Sequence, residues 1–163
     1  MEITHQAKDS FKLKAKTGVV LMSGEEITMT HKGEGEDFVI NQPGEYEVEG
    51  ISVFGYQSDE SRVYITQVED LRVLYLGKLG KPLSEKATQE LENIDVVIVS
   101  TDVLTSKVLS DIVAKLEPYY VLPYGEKVKE FIASYDHGSR SVASLNLSRL
   151  SLSEDLTEVI VFE

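Results

Sequence analysis

Residues 11–16 read Phe-Lys-Leu-Lys-Ala-Lys, a strict alternation of apolar and basic positions. A period of two puts each kind of side chain on its own side of an extended chain. The run therefore predicts a half-buried strand with one wet face. Residues 3–5 and 19–22 are further short β segments, residues 27–30 alternate again, and Thr17-Gly18 predicts a hairpin turn. Residues 37–40 form a short apolar strand, and Pro43-Gly44 predicts the central pair of a type II turn. Strands at 46–48 and 51–56 follow, with Gly50 between them marking a bulge. After a polar loop at 57–61, residues 62–68 and 71–76 predict a hairpin around Glu69-Asp70.

The period changes after Gly77. The glycines and proline of GKLGKPLSEK are loop chemistry, and Ser84 starts a helix running to about residue 92. DVVIV at 95–99 is the unbroken apolar run of a strand buried on both faces. Thr101 or Asp102 is then expected to cap a longer helix, with Leu104, Val108, Ile112, Val113 and Leu116 on one face and Pro118 ending it. Residues 119–122 predict another buried strand, and 125–135 a third helix with Val128, Phe131 and Ile132 inward. A turn at 136–140 leads to strands at 142–150 and 158–162, joined by the turn Ser153-Glu154-Asp155. A meander half thus runs into a half where strands and helices alternate, with no linker and no repeat. The expectation is one domain over 1–163, α/β in class. Two sheets packed face to face with helices outside make a four-layer αββα sandwich, which buries both kinds of strand.

Composition narrows the function classes. Acids outnumber bases 28 to 16, and the net charge of −12 repels phosphate backbones, so no nucleic-acid partner is expected. The absence of cysteine excludes disulfides, thiol catalysis and thiolate metal sites. No signal peptide or membrane span is read, and a cytoplasmic location is the default expectation. A G-x-S-x-G elbow is lacking, and GKLGK has neither the spacing nor the terminal Ser/Thr of a phosphate-binding loop.

Several stretches taken in order carry a resemblance: MEIT…SFKLK, DFVINQPGEYEVEGISVFGY, LYLGKLGKPLS, IDVVIVSTD, LEPYYVLPY and TEVIVFE. Together they resemble the metallo-β-lactamase-fold hydrolases, in a lactonase-like, Zn-dependent branch. The resemblance spans nearly the whole chain, and PGEYEV and the LGxLG turn are its most specific parts. It implies the αββα sandwich, reduced in size, and an H-x-H-x-D-H loop that with other ligands holds metal and generates hydroxide. The chain departs from that pattern at each ligand position. His31 remains at the end of the 27–30 strand, but Gly33, Gly35 and Glu36 follow where His, Asp and His are expected. Ala7-Lys8-Asp9 stands for Gly-His-Ser, and Lys78 for a metal-bridging Asp. Pro123-Tyr124-Gly125 stands for Pro-x-His, and Ser100-Thr101-Asp102 for a glycine-rich loop. The segment between Val20 and Ile27 is also shorter than the family's.

Scaffold kept and metal centre lost is therefore the reading: no catalytic residue, no metal ligand, no cofactor. Lys8, His31, Glu34, Glu36, Lys78 and Tyr124 are expected to line a vestigial pocket. There Lys8, Lys78 and His31 would face Glu34 and Glu36 in an ion-pair cluster that replaces the metal. Tyr119, Tyr120 and Tyr124 read as core packing, and His5 and His137 as structural. Three functions stay open. One is a non-catalytic binding or assembly module, with a homo-oligomer or protein partner. The second is a Zn-dependent hydrolase with an altered site. The third is a sensor holding a small anionic ligand against Lys8 and Lys78.

Overall fold

The computed structural model describes residues 1–30, 35–135, 138–152 and 156–163. Strands β1 (Glu2–Ala7), β2 (Ser10–Lys14), β3 (Val19–Ser23), β4 (Glu26–Thr30) and β5 (Phe38–Ile40) follow one another across a six-stranded sheet. A short β13 (Leu145–Asn146) completes it beside β1. The larger sheet begins as an antiparallel meander of β6 (Gly44–Val48), β7 (Ile51–Ser58), β8 (Ser61–Val68) and β9 (Leu71–Tyr75). It continues in parallel through β10 (Val96–Ser100), β11 (Tyr120–Tyr124), β14 (Glu158–Phe162) and β12 (Ser139–Val142).

The period of two sets the layers. In the larger sheet Tyr75, Val96, Ile98, Leu122 and Tyr124 face the smaller sheet, where they meet Ile3, Phe11, Leu13, Val20, Met22 and Ile27. Their neighbours Leu74, Val97, Val99 and Val121 point the other way, onto helices α1 (Glu85–Glu90), α2 (Ser106–Leu116) and α3 (Val128–Ser134). β10 and β11 thus have a core on each side, which is why their sequences carry no polar alternation. The expected two-sheet sandwich is present. On the outer face of the smaller sheet Lys12, Leu21 and Thr28 lie in one cross-strand row as partly exposed side chains. Among the described residues no helix is long and apolar enough to cross a membrane.

Several local expectations are corrected. Glu49 and Gly50, both with positive φ, form a two-residue hairpin turn between β6 and β7, so no bulge separates them. Gly44 has φ 143° and already pairs with Gly55, so Pro43-Gly44 is not the centre of a type II turn, which needs φ near +80°. The cap of α2 is Thr105, whose hydroxyl accepts from the Val108 amide at 3.4 Å. Thr101 and Asp102 are engaged elsewhere. The single strand read at 142–150 is broken into the end of β12, β13 and a 3-10 turn at Arg149–Ser151, and Arg140 lies within β12. Asp136, His137 and the turn Ser153-Glu154-Asp155 lie outside the described residues.

One connection decides where the site is. Ser23 pairs with Glu26, so Gly24-Glu25 is a two-residue hairpin and β4 runs back along β3. Ala7, Ser10, Ser23 and Glu26 therefore share one end of the sheet, and Glu2, Lys14, Val19 and Thr30 share the other.

Candidate functional site

An open cleft of about 380 Å³ lies at the first of those ends. It sits over the carboxyl ends of the parallel strands β9, β10 and β11, where open α/β sheets place their ligands. Its walls are Lys8, Asp9, Lys78, Ser100, Asp102, Val103, Tyr124, Gly125 and Glu126. Three of the six residues expected to share a pocket, Lys8, Lys78 and Tyr124, are thus brought together. Glu36 is not among them. It is exposed and precedes β5 on the side of Thr30, at the opposite end of the sheet, because the tight Gly24-Glu25 hairpin reverses β4. His31 and Glu34 lie outside the described residues.

The turns around the cleft are tied to its floor by buried hydroxyls. Tyr75 donates to the Asp9 carbonyl at 2.9 Å and holds the Lys8-Asp9 turn. Tyr124, 5% exposed, donates to the Gly77 carbonyl at 3.1 Å and holds the turn after β9. The Thr101 hydroxyl and amide both bond the Tyr124 carbonyl, at 3.0 and 2.8 Å, joining the ends of β10 and β11. His5 stacks on Phe11 and lies 2.7 Å from the Lys8 carbonyl through Nε2. A carbonyl only accepts, so Nε2 carries the proton. The structural role expected of His5 is this support of the turn. Burial pushes the Tyr124 phenol up to about 12, and raises Tyr75 further still. Both stay neutral hydrogen-bond donors at physiological pH.

Two residues missed in the sequence complete the walls. Asp9 accepts an ion pair from Lys78 at 3.3 Å, while of the partners expected for Lys78 Glu36 lies at the opposite end of the sheet and Glu34 is outside the described residues. Asp102 accepts from the Glu126 amide at 2.6 Å through one carboxylate oxygen. The Asp102 carboxylate also fills the space a Cβ at Gly125 would occupy, and Gly125 has φ 112°. A side chain at 125, where the family pattern has His, would be strained by the backbone and would have to displace the Asp102 carboxylate. The signal that marks Asp102 is its place just after a fully buried parallel strand.

The walls do not fit zinc. Zinc sites are built on imidazole and thiolate nitrogen and sulfur, with carboxylates added. Among the described residues the walls offer neither imidazole nor thiolate, and a divalent ion at Asp9 would face the Lys78 ammonium. Among the described residues no group of three or more His, Asp and Glu is placed to hold a metal ion.

Similarity to known proteins bears on family and fold. The β-lactamase superfamily domain matches residues 3–125. No curated protein matches. Among solved structures, the chain is similar to a candidate Zn-dependent hydrolase of the metallo-β-lactamase superfamily from Thermotoga maritima. The TM-score is 0.82 at 21% identity, over 100% of both chains. It is more distantly similar to a candidate metal-dependent hydrolase from Parabacteroides distasonis, with TM-score 0.49 and 10% identity over 95% of this chain and 98% of that one. A metallo-β-lactamase-fold protein from Bacillus subtilis gives 0.47 and 10% over 75% and 51%. The domain match runs from β1 through the end of β11 and so takes in every wall of the cleft but Glu126, and the sandwich superposes end to end on the Thermotoga structure: the chain belongs to the β-lactamase superfamily and has the metallo-β-lactamase fold.

Proposed function

We propose that this chain is a non-catalytic member of the superfamily, a binding module whose ligand seat is the cleft at the strand ends. The observation that carries the reading is the Lys78–Asp9 pair, an ammonium held on a carboxylate between two of the turns that the family uses for metal. Asp102, locked between Gly125 and the Glu126 amide, supports it. The same reading has no resident zinc and no nucleic-acid partner, the latter supported by the charge of −12, and keeps the protein in the cytoplasm. Phe38 and Val39, exposed on the edge strand β5, support a protein partner or second copy at that edge.

The alternative is a Zn-dependent hydrolase with an altered site, favoured by the name of the Thermotoga protein. It needs donors from beyond the described walls of the cleft. The test is hydrolysis of lactone, ester, β-lactam and phosphodiester substrates by purified protein supplied with Zn²⁺. The proposal expects no turnover above a heat-denatured control. Turnover that a chelator and His31→Ala both remove would overturn it.

A further inference from the structure

We infer that the cleft takes a small zwitterion with one free ammonium and one free carboxylate, in chemical class an α-amino acid. The inference rests on the reading of the cleft as a ligand seat and names what is seated there.

The charges around the cleft fall into two groups. Lys78 and Asp9 neutralise each other. Lys8 has no side-chain partner among the described residues, and the same holds for the Glu126 carboxylate. Asp102 keeps one oxygen free beyond its bond to the Glu126 amide. A ligand therefore meets one uncompensated ammonium and two carboxylates. A simple anion gains Lys8 but approaches Asp102 and Glu126 uncompensated, and the protein's net charge adds to the penalty. A simple cation meets the reverse problem at Lys8. A molecule carrying both charges satisfies both groups at once. This is a different ligand from the anion expected at Lys8 and Lys78 together, because Asp9 already engages Lys78. The neutral contacts agree with the choice. The Ser100 hydroxyl reaches the floor, and Val103, 50% exposed, gives an apolar wall for a short side chain. The volume of about 380 Å³ is at the lower end for ligand pockets and suits a small molecule.

The test is calorimetric titration of the whole chain with each standard α-amino acid, followed by the N-acetyl and amide derivatives of any that bind. The first derivative removes the ammonium, the second the carboxylate. At least one amino acid should bind with a Kd of about 1 mM or tighter, and each derivative should bind about tenfold more weakly. Lys8→Ala and Glu126→Gln, both at exposed positions, should each weaken it by a similar factor with the unfolding midpoint unchanged. The inference is overturned if no amino acid binds, if either derivative binds as well as its parent, or if the two variants bind like wild type. Those outcomes leave the non-catalytic reading standing, since the hydrolysis assay decides it separately.

Discussion

Replacing Tyr124 with Phe removes one buried hydroxyl and nothing else. The ring keeps its edge contact with Phe11, 5.1 Å between centroids, so no cavity opens. What is lost is the 3.1 Å bond to the Gly77 carbonyl, the tie between β11 and the turn after β9, together with the hydroxyl's contacts to Tyr75 and Ser100. A buried hydrogen bond contributes about 1 kcal/mol net, and a carbonyl left without a donor adds to the loss. Together these put the expected cost at about 1–2 kcal/mol. Lys78→Ala is the comparison. Its pair with Asp9 is charged, but Lys78 is 63% exposed and Asp9 24%. Solvent screening and side-chain entropy leave such a pair about 0.5 kcal/mol or less. Urea denaturation, with a slope of about 2 kcal/mol/M, should move the midpoint by about 0.5–1 M for Tyr124→Phe and by about 0.25 M or less for Lys78→Ala. If Lys78→Ala costs as much as Tyr124→Phe, the end of the sandwich is held by the ion pair and not by the buried hydroxyls.

Gly125→Ala should destabilise by about 1–3 kcal/mol from the left-handed backbone alone, and by more from displacing Asp102; adding Asp102→Ala should recover only the second part in the same denaturation assay. The amino terminus at Met1 donates to Glu69 at 2.7 Å and, with the Lys16 amide, holds its carboxyl below the ordinary value of 4.5. A depressed folded value means the stabilisation is complete above 4.5 and is lost as pH falls through the lower folded value. Glu69→Gln should therefore be less stable than wild type at neutral pH, and the gap should close on acidification below that value; a gap independent of pH would contradict the pairing. In an ultraviolet titration of the eight tyrosines, Tyr75 and Tyr124 should stay un-ionised until the protein unfolds, and eight groups ionising together near 10 would refute their burial.

Much of the fold was legible because the strands obey simple periods. The alternation at 11–16 became β2 over its first four residues, and the apolar run from Val96 to Val99 became β10, Val96–Ser100, with all five residues buried. What misled was a connection. Gly24-Glu25 between two apolar runs is a two-residue hairpin signal, with Gly24 at φ 60°. Read as such, it reverses β4 and puts Thr30 at the end of the sheet opposite the cleft. Reading the Ile27–Thr30 run by its place in the family pattern kept Glu36 beside the cleft, although the segment between Val20 and Ile27 already read as short. The lysines at 8 and 78 were found because they replace expected ligands, and Tyr124 because it stands beside Gly125, which does, at strand ends that stayed in place. Asp9 and Asp102 escaped notice because their partners, a lysine 69 positions away and an amide 24 positions away, are set by the sheet and not by local spacing.

The central claim is that protein groups, and not a metal, hold the turns at this end of the sandwich. The most direct measurement is the metal content of protein purified without a His-tag or chelating resin. The account predicts far less than one equivalent of any transition metal, and a thermal midpoint that neither chelator nor added Zn²⁺ moves. More than about half an equivalent of Zn, Mn or Fe, with a midpoint that falls when it is removed, would contradict it.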